Sequence, residues 1–202
     1  MKTRLSLIVS LMILLSTPVS LLAAIVFSDN FGDGDVTDWT KTTNHTGTNA
    51  VTVRTDSVVS ADYALYTYLI APPGGVDLIV HASHDFLAPV FADYTLDLWA
   101  RSSPCSGCTI SYDVLVDGVS LDRKFAPNTF EARSFDLTGL SAGNHTLTLG
   151  IYTTNASSGN FNASFDDVTI STTSAVPVPA ALWLFASGLF GMLGARKIFS
   201  GL

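Results

Sequence analysis

The stretch Thr109-Ile-Ser-Tyr-Asp-Val-Leu-Val-Asp-Gly-Val-Ser-Leu-Asp-Arg-Lys-Phe125 holds two β-rich runs separated by the dipeptide Asp117-Gly118. A two-residue hairpin turn of this kind requires positive φ at both central positions, which Asp and Gly tolerate. The flanking runs are rich in β-branched and aromatic residues, which favour strands. The stretch therefore predicts an antiparallel hairpin.

The same pattern of short β-runs, broken by Gly, Asn, Asp and Pro, extends from Ile25 to about Ser174. No sustained helical period with caps interrupts it. About nine short strands in roughly 150 residues predict an all-β, jelly-roll-like two-sheet β-sandwich. The candidate strands are Ala50–Arg54, Tyr63–Ile70, Val76–His81, Tyr94–Arg101, Thr109–Val116, Val119–Phe125, Phe130–Leu137, His145–Tyr152 and Asn162–Ser171.

The charge balance and the missing motifs exclude several functions. The chain carries 17 acidic and 10 basic residues, which argues against nucleic acid as a partner because phosphate binding needs a basic surface. No GxSxG, HExxH, P-loop or GxGxxG motif occurs, and Glu131 is the one Glu in the chain. His81, His84 and Asp85 form a small cluster without a third metal ligand, so surface histidines are the better interpretation. We expect no enzyme, with a small secreted hydrolase as a remote alternative.

Residues 1–24 are typical of a secretion signal peptide. Lys2 and Arg4 precede an apolar run, and Ala23-Ala24 supplies small residues for cleavage. The apolar run is too short to cross a bilayer core of about 30 Å. We expect an exported protein with a sandwich at 25–171, with an uncleaved N-terminal anchor as the alternative.

Export places Cys105 and Cys108 in an oxidising compartment. A redox CxxC opens a helix after a strand, whereas here Pro104 precedes the motif and a strand follows it. A small disulfide between the two cysteines that clamps a loop is therefore the preferred interpretation.

The character of the chain changes after a short polar spacer at 172–175. Val176–Ala195 is uncharged over about the length that a helix needs to span a membrane. Arg196 and Lys197 follow it, as expected at a cytoplasmic boundary. Residues 176–202 therefore predict a single C-terminal transmembrane helix.

The tail Val176-Pro177-Val178-Pro179-Ala180, its apolar helix and its Arg196-Lys197 stop resemble the PEP-CTERM sorting domain in its VPxPA form. Val178 stands where the name-giving form has Glu. The resemblance implies that a membrane-embedded exosortase cleaves near Pro177–Ala180. The expected location is an inner-membrane-anchored precursor, and then the cell surface or the extracellular matrix.

An acidic segment from Asp29 to Asp38 suggests calcium, which takes six to eight oxygen ligands. We consider Asp29, Asp33, Asp35 and the distant Asp166 as candidate ligands, because alternation places Asp166 on an inward side with Val168 and Ile170. The competing interpretation is that these are turn-forming, solvated Asp residues. Together with the late Phe-Asp-Asp-Val strand, the segment is loosely similar to carbohydrate-binding-module and laminin-G-like jelly rolls.

Aromatic side chains on the polar side of strands suggest platforms for sugar rings. Alternation places Trp99 opposite Leu96, Leu98 and Ala100, and it places Tyr66 and Tyr68 together. A glycan-binding face built from Trp99, Tyr66 and Tyr68 is one possibility; half-buried packing residues are the other.

These observations favour an exported, non-catalytic cell-surface or matrix protein associated with exopolysaccharide. The alternative is a calcium-dependent carbohydrate-binding module, with extracellular polysaccharide as the partner.

Overall fold

A computed structural model describes residues 23–56, 58–60, 62–72, 75–103, 109–124, 128–156 and 159–172. The predicted signal peptide up to residue 22, the Cys105–Cys108 disulfide, the Val176–Ala180 motif and the Arg196-Lys197 stop lie outside these ranges. Within them no helix is both long and apolar enough to cross a membrane.

Eleven strands form in this part of the chain, including all nine that the sequence predicts. The two additional strands are the first two; the second, Thr-Lys-Thr-Thr, is short and polar and has no strand pattern of its own. The strands are β1 (Ile25–Asp29), β2 (Thr40–Thr43), β3 (Asn49–Arg54), β4 (Ala64–Ala71), β5 (Val76–Ala88), β6 (Ala92–Ser103), β7 (Thr109–Val116), β8 (Val119–Lys124), β9 (Glu131–Leu140), β10 (Gly143–Ala156) and β11 (Gly159–Thr172).

The strands pair into two antiparallel sheets. One sheet has six strands in the order β3-β4-β11-β6-β9, and β1 also pairs with β11; the other has five in the order β2-β5-β10-β7-β8. Their inner faces pack around one core, where the rings of Tyr112 and Phe165 meet edge to face with centroids 6.2 Å apart. The predicted jelly-roll-like two-sheet sandwich is confirmed.

The predicted hairpin also forms. Asp117 and Gly118 adopt φ values of 51° and 76° and connect β7 to β8. This conformation matches the twist of the flanking strands, which explains the Asp-Gly pair.

A β-bulge interrupts β11, an interior strand of the six-stranded sheet. β4 pairs with β11 as far as Phe165, and β1 pairs with it from Val168 onward. Between them the register shifts, and Asp167 adopts a φ of 49°. The extra residue moves the inward side of β11 from Phe165 to Val168, so simple alternation fails here.

Candidate functional site

A polar row crosses the outer face of the five-stranded sheet. The register aligns Thr42, His81, Gly150, Asp113 and Arg123 on five neighbouring strands. Residues directly opposite each other in antiparallel strands project to the same side. The flanking residues of these strands point into the core, so the row faces outward.

Asp113 lies between Gly150 and Arg123 in this row and is fully buried. Its carboxylate accepts hydrogen bonds from Arg123 Nη2 at 2.7 Å and from Ser120 Oγ at 3.2 Å. Burial raises the pKa of Asp113, but the contacts with His81 and Arg123 outweigh burial, and the net pKa is lowered. Asp113 is therefore an ionised acceptor held in place beneath the surface of the sheet.

Gly150, which has no side chain, allows His81 on one neighbouring strand to approach Asp113 on the other. A Cβ at this position would lie 2.2 Å from the Val80 carbonyl oxygen and 2.7 Å from His81 Cδ2. Since glycine has no side chain, His81 Nε2 reaches to 3.4 Å from Asp113 Oδ2. That distance is an electrostatic contact rather than a strong hydrogen bond.

Arg123 is held between an acid and an aromatic ring. Its guanidinium carbon lies 3.7 Å from the centroid of Tyr152, while its Nη2 donates to Asp113. Such double fixation leaves the remaining N–H donors pre-oriented at the surface. Ser83 and Thr148 add a pair of hydroxyls, 2.8 Å apart, on the same face. The face combines fixed donors, buried charge and hydroxyl groups.

The sequence did not predict this row. Alternation along the strand places Asp113 on the other face from Tyr112 and Val114. Its neighbours on that face, His81, Gly150 and Arg123, are determined by strand pairing. His81 was expected to be a surface histidine, whereas its side chain is 11% exposed. A buried-strand Asp flanked by core residues is the one signal that the sequence offered.

The three aromatic residues predicted for glycan binding lie on the outer face of the other sheet. Tyr66 and Tyr68 on β4 stack with ring centroids 6.2 Å apart. Trp99 lies on β6 and is paired with Asp166 of β11, the strand that lies between β4 and β6. The guanidinium of Arg54 covers the Tyr66 ring at 4.7 Å, and Tyr66 is 8% exposed. Burial raises the pKa of Tyr66 in spite of Arg54. Tyr68 and Trp99 are half-buried, so they are the accessible part of this face.

The residues of the acidic N-terminal segment organise their own loop. Asp29 accepts from the Phe31 amide at 2.8 Å and from Trp39 Nε1 at 2.8 Å. Asp33 accepts from the Asp35 amide, and Asp35 accepts from the amide of Thr37. These are the short-range contacts by which Asp stabilises turns.

Two of the four predicted calcium ligands nevertheless share a cleft. A cavity of about 570 Å³ is lined by Asp29, Asp33 and Asp167, together with the oxygen-bearing side chains of Ser28, Asn30 and Thr169. Asp35 is not part of its lining. In the described ranges no three His, Cys, Asp or Glu side chains are close enough to hold a metal ion as they stand. Calcium binding would therefore require side chains to turn into the cleft.

Asp166, the fourth predicted ligand, is fully buried beneath the connection between β3 and β4. Its Oδ2 accepts from the Val59 amide at 2.7 Å and its Oδ1 from the Asp167 amide at 2.8 Å. Burial raises its pKa, and these amide hydrogen bonds reduce the rise. The sequence predicted that Asp166 shares the inward side of β11 with Val168 and Ile170. The bulge instead places it on the outer side, next to Trp99, where it is nevertheless buried.

The fold is similar to that of solved carbohydrate-binding modules. The structure is similar to the CBM22-1 xylan-binding domain of Xyn10C from Paenibacillus barcinonensis, with a TM-score of 0.53, 15% identity, and coverage of 78% of this chain and 100% of that domain. It is also similar to CBM27-1 of Caldicellulosiruptor saccharolyticus, solved with mannohexaose, with a TM-score of 0.50, 14% identity, and coverage of 74% and 97%. No protein-family model matches the sequence, and no curated protein matches it either.

Proposed function

We propose that the sandwich is a non-catalytic carbohydrate-binding domain of an exported protein, and that polysaccharide binds the outer face of the five-stranded sheet. The row through His81, Asp113 and Arg123 carries this proposal. A buried, ionised Asp lowers stability unless it has hydrogen-bonding and charged partners. Here Arg123 is such a partner of Asp113, and the contact in turn holds the arginine in place at the surface. The fold supports the same class of ligand.

The chemistry of the face suits the hydroxyl groups of sugars. Arg123 offers fixed N–H donors, and Ser83, Thr148 and Thr42 offer hydroxyls that both donate and accept. Tyr152 lies under the guanidinium of Arg123 and holds its planar surface in place beside them. Pre-oriented donors and acceptors lower the entropy cost of binding, as recognition of a flexible polysaccharide requires.

We test the location with matched variants of the full chain, solubilised in detergent, in affinity electrophoresis against a panel of neutral and acidic polysaccharides. Arg123→Lys and Tyr152→Leu alter the five-stranded face, and Arg101→Lys and Tyr68→Leu make the same changes on the six-stranded face. We expect each of the first two variants to lose about tenfold in affinity, because Arg123→Lys removes the fixed guanidinium and Tyr152→Leu removes the ring that holds it, and the second pair to bind normally.

The reverse pattern would move the site to the predicted face of Tyr66, Tyr68 and Trp99. Failure of the unaltered chain to bind any polysaccharide would contradict the proposed function. Melting temperatures above the temperature of the binding assay in all four variants would show that binding, not folding, was measured.

We also propose that the chain is sorted to the cell surface or matrix through its tail, with an exosortase-type enzyme and the membrane as partners. The order of the Val176–Ala180 motif, the apolar run and the basic pair supports this. Mass spectrometry of the mature protein from its host tests it. Cleavage near Ala180 is the expected result, and an intact C-terminus would contradict it.

Calcium remains part of the proposal as a structural ion in the cleft beside β1 and β11. The cleft supports it because all six lining side chains that we name above carry oxygen donors, the atoms that calcium prefers. Asp167, which the sequence did not suggest, would replace Asp166 as a ligand.

A further inference from the structure

The exposed apolar side chains of the sandwich gather at one end. Seven large hydrophobic residues are exposed in the part of the chain that the structure describes. Ile70 lies at the opposite end, and Val59 lies beside Asp166 in the β3–β4 connection. The other five are Ile25, Leu87, Val90, Phe91 and Val119, and we call them the apolar end.

Strand register shows that these five residues share one end. β5 ends at Ala88, and the short connection containing Val90 and Phe91 leads into β6. Tyr94 at the start of β6 pairs with Thr172 at the end of β11. The β7–β8 turn, with Val119, and the first strand residue, Ile25, reach the same side of the molecule.

The tip of this end is held so that its side chains point outward. The buried Tyr94 donates its hydroxyl proton to the Val90 carbonyl at 2.8 Å. The Gly139 amide donates to Asp93 Oδ1 at 2.7 Å and fixes the adjacent connection. Phe91 remains 72% exposed in this fixed turn, although the core lies just below it. Exposed apolar side chains that gather in one region of a protein surface are typical of interaction sites.

The chain that leaves this end indicates what covers it. The Ala24 amide donates to Thr172 Oγ1 at 2.9 Å, so the sandwich both begins and ends here. Four steps of chain lead from Thr172 to Val176, which reach about 14 Å at most when extended. The uncharged run Val176–Ala195 then begins, and it is long enough to cross a bilayer. The end that carries Thr172 is therefore tethered close to any membrane that this run enters.

We propose that the apolar end rests in the headgroup region of the bilayer while the tail is anchored, with Phe91 and Leu87 inserted between lipids. The acidic groups nearest the tip form hydrogen bonds within the sandwich: Asp93 accepts from the Gly139 amide, and Asp117 pairs with His145. The five exposed side chains of the apolar end carry no charge, so the proposed contact is apolar rather than electrostatic and does not need anionic lipid. Docking at this end leaves the outer faces of both sheets, and the polysaccharide site proposed above, directed sideways.

The experiment places an added tryptophan at each end of the full chain, reconstituted in phosphatidylcholine vesicles. Phe91→Trp and, as a second probe, Leu87→Trp mark the apolar end, and Ile70→Trp is the matched control at 40% exposure on the far end. Emission is compared between vesicles with brominated and ordinary acyl chains, each after subtraction of the unaltered protein. We expect Phe91→Trp and Leu87→Trp to lose most of the added emission in brominated vesicles, and Ile70→Trp to lose none.

Equal emission of Phe91→Trp and Leu87→Trp in the two kinds of vesicle would overturn the proposal, whatever the tail does. Shielding of these tryptophans from iodide that grows with protein concentration, without quenching by bromine, would assign the end to a second copy of the chain and would also overturn it. Neither outcome depends on whether the sandwich binds polysaccharide.

Discussion

Asp113 Oδ2 lies 2.7 Å from Arg123 Nη2 on the outward face of a sheet, and the carboxylate is fully buried. This pair joins two neighbouring strands, and it fixes the surface arginine that the proposed polysaccharide site needs. Its protonation state therefore couples the stability of the sandwich to the geometry of the site.

Replacing Asp113 by Asn should lower the free energy of unfolding by about 2 kcal/mol at pH 7, because it removes a buried charge-assisted contact. The pKa of Asp113 is lowered from its ordinary value of 3.8, so its stabilising contribution is present above about pH 4 and is lost as pH falls through the folded pKa. Urea unfolding of both proteins between pH 7 and pH 3 should show the difference shrinking. A difference that stays constant over this range would contradict the assignment of an ionised Asp113.

Asp166→Asn should show the opposite dependence on pH. Burial raises the pKa of Asp166, so the folded state takes up a proton before the unfolded state does, and stability from this group grows as pH falls toward 3.8. The unaltered chain should therefore gain stability relative to Asp166→Asn on acidification, measured by the same urea titrations. A shift in the direction seen for Asp113→Asn would show that the amide hydrogen bonds outweigh burial.

His145 should stabilise the fold mainly in its protonated form. Its Nδ1 lies 2.6 Å from Asp117 Oδ2 and its Nε2 lies 2.9 Å from the Ser141 carbonyl oxygen; both partners accept, so both nitrogens must carry protons. Burial lowers the pKa of His145, but these hydrogen bonds outweigh burial and raise it. The contribution is full below about pH 6.5 and is lost as pH rises through the folded pKa.

His145→Gln should thus cost about 1 kcal/mol at pH 6 and less at pH 9, as thermal or urea unfolding would show. Asp117→Asn should remove the same pH dependence of stability, because it takes away the carboxylate that pairs with protonated His145. A charged His145 would be ruled out if both variants kept the pH dependence of stability that the unaltered chain shows.

Gly150→Ala should be among the most damaging small substitutions in the sheet. The new Cβ would meet backbone, the Val80 carbonyl oxygen at 2.2 Å, so the strands must move apart at a cost of about 2 kcal/mol or more. Thr148→Ala, two residues away on the same face, removes one hydroxyl pair and should cost about 1 kcal/mol. Similar melting temperatures of the two variants would show that the row has room for a methyl group.

Calcium should raise the melting temperature of the full chain, and a chelator should reverse the rise. At 100 times the dissociation constant, a ligand specific for the folded state adds about 2.7 kcal/mol. Asp167→Asn and Asp33→Asn should abolish the response, whereas Asp35→Asn, outside the cleft, should keep it. Identical melting curves with calcium and with chelator would reject the ion, and a lost response in Asp35→Asn would restore the ligand set suggested by the sequence.

The sequence by itself determined the local structure of this protein. Asp117-Gly118 specified a hairpin because these residues accept positive φ, and alternation of Leu96, Leu98 and Ala100 correctly placed Trp99 on the outer face. Alternation failed at Asp166, where a bulge adds a residue that no local pattern announces. The second strand, Thr40–Thr43, was missed because its polar residues are ordered by pairing with β5 rather than by their own propensity.

Only the tertiary structure decided which of these faces could form a site. His81, Asp113, Arg123 and Gly150 are separated by up to about 70 positions in the chain, yet they lie in one row because of the strand order. The same holds for the apolar end, where Ile25, Phe91 and Val119 lie at the same end of the sandwich although they are far apart in sequence. Periodicity records which side of a strand is buried, whereas the choice of neighbouring strand and its register depends on how the whole core packs, and no local stretch of sequence contains that information.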